Sequence, residues 1–276
     1  MDVADRYLAR LGLDREPPSA AALARLHRAH AERVPYETLW IHLGQRWGVD
    51  PAASVRRIAT GGRGGYCFHL NAAFGALLEA LGYAVTRHVG GVHGPAGPSG
   101  DEMTNHLVLI VSGLPAADHP EGTWYVDVGL GDALHEPLPL RAGTHRQGPF
   151  TLALEPVDRS TRDVGDWHLA HDPAGGFAGM SWHAAPAGMD AFAERHEWLS
   201  TSPESGFVRV LTVQRRDATG VDVLRGLTLK RIGEGAARAG AGVTLATAAE
   251  LSDALGDVFG LDLAAVEPDP MARSTL

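Results

Sequence analysis

The chain has 276 residues, 45% apolar and 21% charged, and its 24 basic against 33 acidic side chains leave a formal charge of −9. This length and apolar share suit one to three domains with a sizeable core, and the acidic balance argues against nucleic acid or an anionic membrane surface as partner. The only lysine, Lys230, has no place in a Gly-Lys-Ser/Thr phosphate loop, and the only cysteine, Cys67, excludes an intrachain disulfide and a multi-cysteine zinc site.

The N-terminal run Met1-Asp2-Val3-Ala4-Asp5-Arg6 lacks the basic start and apolar stretch of a signal peptide. No segment approaches the roughly 20 apolar residues of a membrane span, so a cytoplasmic protein is expected. Its Arg-, Ala- and Gly-rich composition fits a GC-rich bacterial genome.

The first 85 or so residues read as helical. Tyr7, Leu8 and Leu11 form an apolar stripe that ends at Gly12, and Pro17-Pro18-Ser19 opens a second helix carrying Leu23, Leu26 and His30, stopped by Pro35. The glycine-rich turn 61–65 precedes a third helix over 67–81, with Leu70, Phe74, Leu77, Leu78 and Leu81 at helical spacing and Gly82 as its stop. Strands are expected over 85–89, 106–111, 124–128, 150–154 and 167–170, with a Gly/Pro-rich excursion over 90–100, so the middle reads as a small barrel or sandwich. A linker with some helix follows over 186–205, then two strands over 207–214 and 224–232. Thr247-Ala248-Ala249-Glu250 is a capping box opening a last helix, and a loose tail is expected from Glu267.

Cys67 sits where the glycine turn meets a helix N-terminus. Free N–H groups and the positive end of the helix dipole favour a thiolate there and suit an acyl oxyanion. Gly64 and Gly65 are expected to leave the sulfur open to substrate. The alternative is an inert buried thiol. A nucleophilic thiol needs a base and a group that orients it. His106 opens the apolar run 106–111, and Asp127 lies within another, where an unpaired carboxylate would be costly. A strand-end histidine and a turn-capping aspartate are the bland readings of these two.

Taken together, the segments resemble one family. Arg63-Gly64-Gly65-Tyr66-Cys67-Phe68-His69-Leu70-Asn71 is similar to the Arg-Gly-Gly-x-Cys-Phe-Glu-x-Asn signature of the arylamine N-acetyltransferases. Thr104-Asn105-His106-Leu107 and Val126-Asp127-Val128-Gly129-Leu130-Gly131 look like that family's histidine and aspartate segments. The segments 7–13, 26–30, Val34-Pro35-Tyr36-Glu37-Thr38-Leu39 and Ser200-Thr201-Ser202-Pro203 followed by Phe207 extend the resemblance over most of the chain.

The resemblance implies an α+β fold with an N-terminal helical bundle (1–85), a central β-barrel-like domain (86–190), a linker (191–205) and a C-terminal α/β lid (206–276), around a cysteine-protease-like Cys-His-Asp core. It implies a ping-pong acetyltransferase in which the Cys67 thiolate takes acetyl from acetyl-CoA, His106 is the base and Asp127 its orienter, with an arylamine or arylhydrazine as acceptor, often a xenobiotic. Tyr36, Phe68, Leu130 and Thr104 would meet the acceptor. Asn105, Gly129 and Gly131 would meet the CoA thioester, held by loops near 102–106 and 129–131. No metal, nucleic acid or membrane is implied.

The sequence departs from the family at His69 (usually Glu), Tyr36 (Phe), Thr38 (Asn) and Leu130 (often Phe), which bears on acceptor choice. Arg63 is expected to pair with a carboxylate and fix the glycine turn, His93 to be solvent-exposed, and the pairs His27/His30 and His168/His171 not to bind metal. The rival readings are an amide synthase of natural-product biosynthesis on the same scaffold, a Cys-dependent hydrolase like papain or a transglutaminase, and a binding protein that merely retains the three residues.

Overall fold

The computed structural model describes residues 2–97, 103–158, 165–236 and 242–262; the expected loose tail and most of the Ala/Gly-rich stretch near 237–241 lie outside them. Helix α1 (Val3–Leu11) ends at Gly12 in the left-handed region, and α2 (Ala20–Arg33) is capped by the Ser19 side chain, which accepts the Ala22 N–H. Between them and Cys67 lie strand β1 (Tyr36–Glu37), α3 (Leu39–His42) and α4 (Pro51–Gly61). The start of α4 follows an Asp50-Pro51 cap signal that hydrophobic spacing does not carry. Helix α5 (Cys67–Ala80) is buried nearly all round and forms the centre of the helical layer.

The central strands are β2 (Ala84–His93), β3 (His106–Ser112), β4 (Trp124–Val126), β5 (Leu138–Pro139), β6 (Gly143–Gln147), β7 (Phe150–Pro156), β8 (Trp167–Ala170) and β9 (Gly179–Pro186). They form one antiparallel sheet in the order β5-β4-β3-β2-β9-β8-β7-β6. Its two outermost strands, β5 and β6, are consecutive in the chain and joined across only 140–142, so the sheet curls into a nearly closed barrel. The unbroken apolar run of β3 has its reason here. Leu109 and Val111 pack against the helices, while Val108 and Ile110 point into the barrel core with Tyr125 and Trp182.

A short 3₁₀ turn (Met189–Phe192) leads into α6 (Ala193–Thr201) and α7 (Gly206–Arg209). Strands β10 (Thr212–Arg216), β11 (Gly220–Arg225), β12 (Thr228–Gly233) and β13 (Val243–Thr244) complete a second sheet, whose edge strand is β1 from the helical region. Helix α8 (Ala248–Asp253) opens on the expected capping box and runs into a π turn. Leu39, Val213, Leu224, Leu255 and Phe259 form the core beneath this sheet.

Several sequence expectations are corrected. Residues 207–209 are helical rather than extended, and 224–232 is not one strand but two halves of a hairpin turning at Gly226, whose φ of +58° only glycine adopts readily. β2 continues to His93 where a loop is expected, because β9 pairs with it along that stretch. His93 is accordingly buried, stacked on His168 with ring centroids 5.4 Å apart.

Arg63 meets the expected carboxylate. Its guanidinium donates from Nε to Glu37 Oε1 at 3.0 Å and from Nη2 to Oε2 at 3.1 Å, with Glu37 fully buried. The pair ties β1 to the glycine turn. Removing one partner strands a buried charge, so Glu37→Ala should lower the unfolding free energy by about 3–5 kcal/mol in urea titrations, and Arg63→Ala added to it should cost much less than a second such loss.

Candidate active site

The site grows from the start of α5. Arg63 holds the turn, and Gly64 is required by close approach rather than by access to the sulfur, because a Cβ there would lie 1.8 Å from the Pro35 carbonyl oxygen. Tyr66, the N-cap, makes no side-chain cap; its hydroxyl bonds the His196 ring instead. The Cys67 and Phe68 N–H groups, at the first two helical positions, therefore have no acceptor within the helix. Gly129 lets the aspartate loop press onto this helix start: a Cβ there would stand 2.8 Å from Cys67 Cα.

His106 is the first residue of β3, and Asp127 lies just past the end of β4 rather than within a strand. The structure brings both to Cys67. His106 Nε2 is 2.7 Å from Asp127 Oδ2, and Cys67 Sγ lies 3.5 Å from the Asn105 carbonyl oxygen. The second oxygen of Asp127, Oδ1, accepts Asn71 Nδ2–H at 2.7 Å and the Gly129 N–H at 2.9 Å, while Oδ2 also accepts the Tyr125 hydroxyl at 2.9 Å. Four donors thus answer the lone pairs of a fully buried carboxylate.

Burial by itself would lower the His106 pKa. The charge of Asp127, the hydrogen bond to it, and the adjoining Cys67 sulfur outweigh burial and push it up to about 10. The His106 ring is therefore charged through the neutral range, and a cation beside a cysteine sulfur favours the thiolate form.

His27, on α2, is wedged under the aspartate loop. Its Nδ1 lies 3.0 Å from the His135 carbonyl, and its Nε2 lies 3.1 Å from the Asp127 carbonyl and 3.4 Å from the Asp127 N–H. Burial pushes its pKa down to about 4, so near neutral pH the ring carries a single N–H and serves as a structural spacer. His69 replaces an acidic residue with a neutral ring. It is fully buried and edge-on to Trp40, Trp47, Tyr66 and His196, and burial, aided by the Arg57 charge, holds its pKa well below the usual histidine value.

A cavity of about 250 Å³ opens beside Cys67 and His106, with Tyr36, Asn105, Gly129 and Leu130 in its walls. Phe68, Thr104 and Gly131 are not in its lining: Phe68 is fully buried against Phe192, Thr104 faces solvent, and Gly131 backs onto Gln214. The Asn105 side chain is engaged with the β2 backbone, accepting the Val92 N–H at 2.8 Å and donating to the Val92 carbonyl at 3.0 Å. Sequence reasoning does not single out Asp132, Phe177, Thr212, Gln214 or Arg225, which also line the cavity. Of these only Asp132, directly after the aspartate segment, carries a local signal.

A thiol at a helix start, a charged imidazole, a satisfied carboxylate and an adjoining cavity make a site fit for acyl transfer through sulfur. A sequence profile of the N-acetyltransferases matches residues 19–267. The arylamine N-acetyltransferase of Mycolicibacterium smegmatis is 32% identical over 262 residues, 93% of this chain and 91% of that protein. The structure of Mycobacterium marinum arylamine N-acetyltransferase in complex with CoA superposes with a TM-score of 0.81 at 27% identity, covering 96% of this chain and 95% of that one. Proansamycin X synthase of Amycolatopsis mediterranei is 33% identical over 149 residues, 52% of this chain and 54% of that protein. The chain belongs to the arylamine N-acetyltransferase family and is an acyltransferase.

Because a charged imidazole beside the sulfur favours its thiolate, alkylation of Cys67 by iodoacetamide should proceed faster near pH 7 than that of a free thiol and rise less steeply toward pH 9. Asp127→Asn should restore the steep rise near pH 8–9 of a free thiol.

Proposed function

We propose that the protein transfers acetyl from acetyl-CoA to an arylamine or arylhydrazine by a ping-pong reaction through a thioester on Cys67, around a cysteine-protease-like Cys67-His106-Asp127 core. The observation that carries this reading is His106, charged between the Cys67 sulfur and the Asp127 carboxylate at the edge of a cavity large enough for one aromatic ring.

The Cys67 thiolate attacks the thioester carbonyl carbon, and the free N–H groups at the start of α5 face the oxygen on which charge develops. The carbon–sulfur bond to CoA breaks, and the leaving thiolate takes the proton held by His106. The amine then attacks the acetyl-Cys67 carbonyl, a carbon–nitrogen bond forms, and the bond to Cys67 breaks. His106 accepts the amine proton and the ion pair is restored. Asp127 fixes the ring by Nε2 and stabilises its charged form throughout.

Tyr36 and Leu130, in the cavity wall, would flank the acceptor, while the thioester arm would reach the sulfur past Gly129 and the backbone of Asn105. Phe68 would act by supporting the helix start, and Thr104 and Gly131 by shaping the loops around the site. Acetyl-CoA is here a substrate and not a resident cofactor. A cytoplasmic location is part of this reading; among the described residues no helix is long and apolar enough to cross a membrane.

Mixing the protein with acetyl-CoA should add one acetyl group to Cys67 by mass spectrometry, and Cys67→Ala should show none. Adding 5-aminosalicylate or hydralazine should discharge it with release of acetylated amine. Acetylation without discharge by any arylamine would favour the amide-synthase alternative, and discharge to water alone a hydrolase. Asp127→Asn should lower kcat by about 10³–10⁴-fold.

A further inference from the structure

We propose that Asp132, with Tyr36 and Gln214, forms a hydrogen-bonding wall that selects acceptor amines carrying a second hydrogen-bond donor, a hydroxyl or amino group on the ring; the inference rests on the acetyl-transfer reading above.

Asp132 borders the same cavity as Cys67, yet its side chain is only 2% exposed. Its Oδ2 accepts the Gly176 N–H at 2.6 Å. Its Oδ1 faces His171 Nε2 at 3.4 Å, too far and too poorly aligned for a hydrogen bond. The Nδ1 of His171 accepts the Asp172 N–H at 2.8 Å. Arg216 is one cation within Coulombic reach, but its guanidinium bonds the carbonyls of Ala133, Gln147, Asp217 and Gly220 and not Asp132, and Arg225 lines the same cavity without bonding Asp132. Among the described residues the carboxylate therefore has one firm donor for about four lone-pair directions. A buried acceptor left this incomplete favours any ligand that brings an O–H or N–H to it.

The neighbouring groups have complementary chemistry. Tyr36 and Gln214 are direct cross-strand partners and both line the cavity. Burial, and then the negative charges of Cys67 and Asp132, push the Tyr36 pKa well above the usual phenol value, so it keeps its O–H. Tyr36 lines the same cavity as Cys67 and Asp132. The remaining lining includes Val92, Leu130, Phe177 and Phe207, apolar groups suited to the faces of a ring. A 150 Å³ apolar cavity holds benzene, and about 250 Å³ leaves room for one substituted ring; its amine would point toward Cys67 and its far substituent toward Asp132. An acceptor without a donor there would strip water from the carboxylate and return nothing.

The test compares aminophenols with methoxyanilines, meta and para isomers of each. The two substituents push electrons into the ring to a similar degree, so the amines are alike as nucleophiles and differ in the O–H. With the full-length enzyme and saturating acetyl-CoA, kcat/KM should favour the aminophenol of at least one isomer by about tenfold or more. Asp132→Asn offers an N–H where the lone pair stood and should bring that ratio to about one. An unchanged ratio in a folded Asp132→Asn, or a wild-type ratio near one for both isomers, would overturn the inference, and the wild-type ratio decides alone if the variant does not fold. Acetyl-Cys67 is measured separately by mass spectrometry. Its absence would sink the acetyl-transfer reading and this inference with it, whereas its presence with a ratio near one would sink this inference alone.

Discussion

The Asp127 carboxylate is the joint at which the molecule's two main layers meet. It takes donors from α5 through Asn71, from the end of β4 through Tyr125, from its own loop through Gly129, and from β3 through His106. Asn71 spans the same seam twice more, donating to the Leu107 carbonyl and accepting the Val128 N–H. A buried carboxylate is tolerated only where its lone pairs are met, and meeting them fixes the distance between the nucleophile helix and the barrel. Placement of the imidazole follows from that spacing. The same hydrogen bonds that make the aspartate tolerable in the interior also orient the His106 ring.

Much of this was legible in the residues. Cys67 announces itself by the glycine turn before it and the helical spacing after it, and His106 and Asp127 each stand out as polar residues in apolar runs. The burial of β3 on both faces is readable from its lack of alternation, as is the cap of α8 from Thr247 and Glu250. What escaped depends on pairings between distant segments. β1 is two residues long and exists because β10 lies beside it, and β2 runs on through two glycines because β9 completes its ladder. No local propensity encodes either. The hairpin over 220–233 is hidden for a different reason: its turn residue Leu227 is apolar and 52% exposed, so the run reads as one strand.

The site shows the same division. Identities of the reacting groups are local and visible, but the cavity wall is assembled from β1, β10, β11 and the loop at 176–177, which no window of sequence joins. His69 illustrates how a charge can be exchanged for a ring without loss of order. Edge-on aromatic contacts with Trp40, Tyr66 and His196 surround its ring. The pair Arg63–Glu37 independently secures the turn that leads to Cys67.

The pairing of β1 with β10 has a consequence for biogenesis. Tyr36 leaves the ribosome early, whereas its partner Gln214 emerges only after the whole barrel has been made. Chain segments fold as they appear, and contacts of such long sequence separation close late. Helix α5 and the barrel can therefore form while one side of the cavity beside Cys67 is still missing. A nascent chain would hold the Cys67 thiol facing an unfinished, water-filled recess until β10 arrives beside β1.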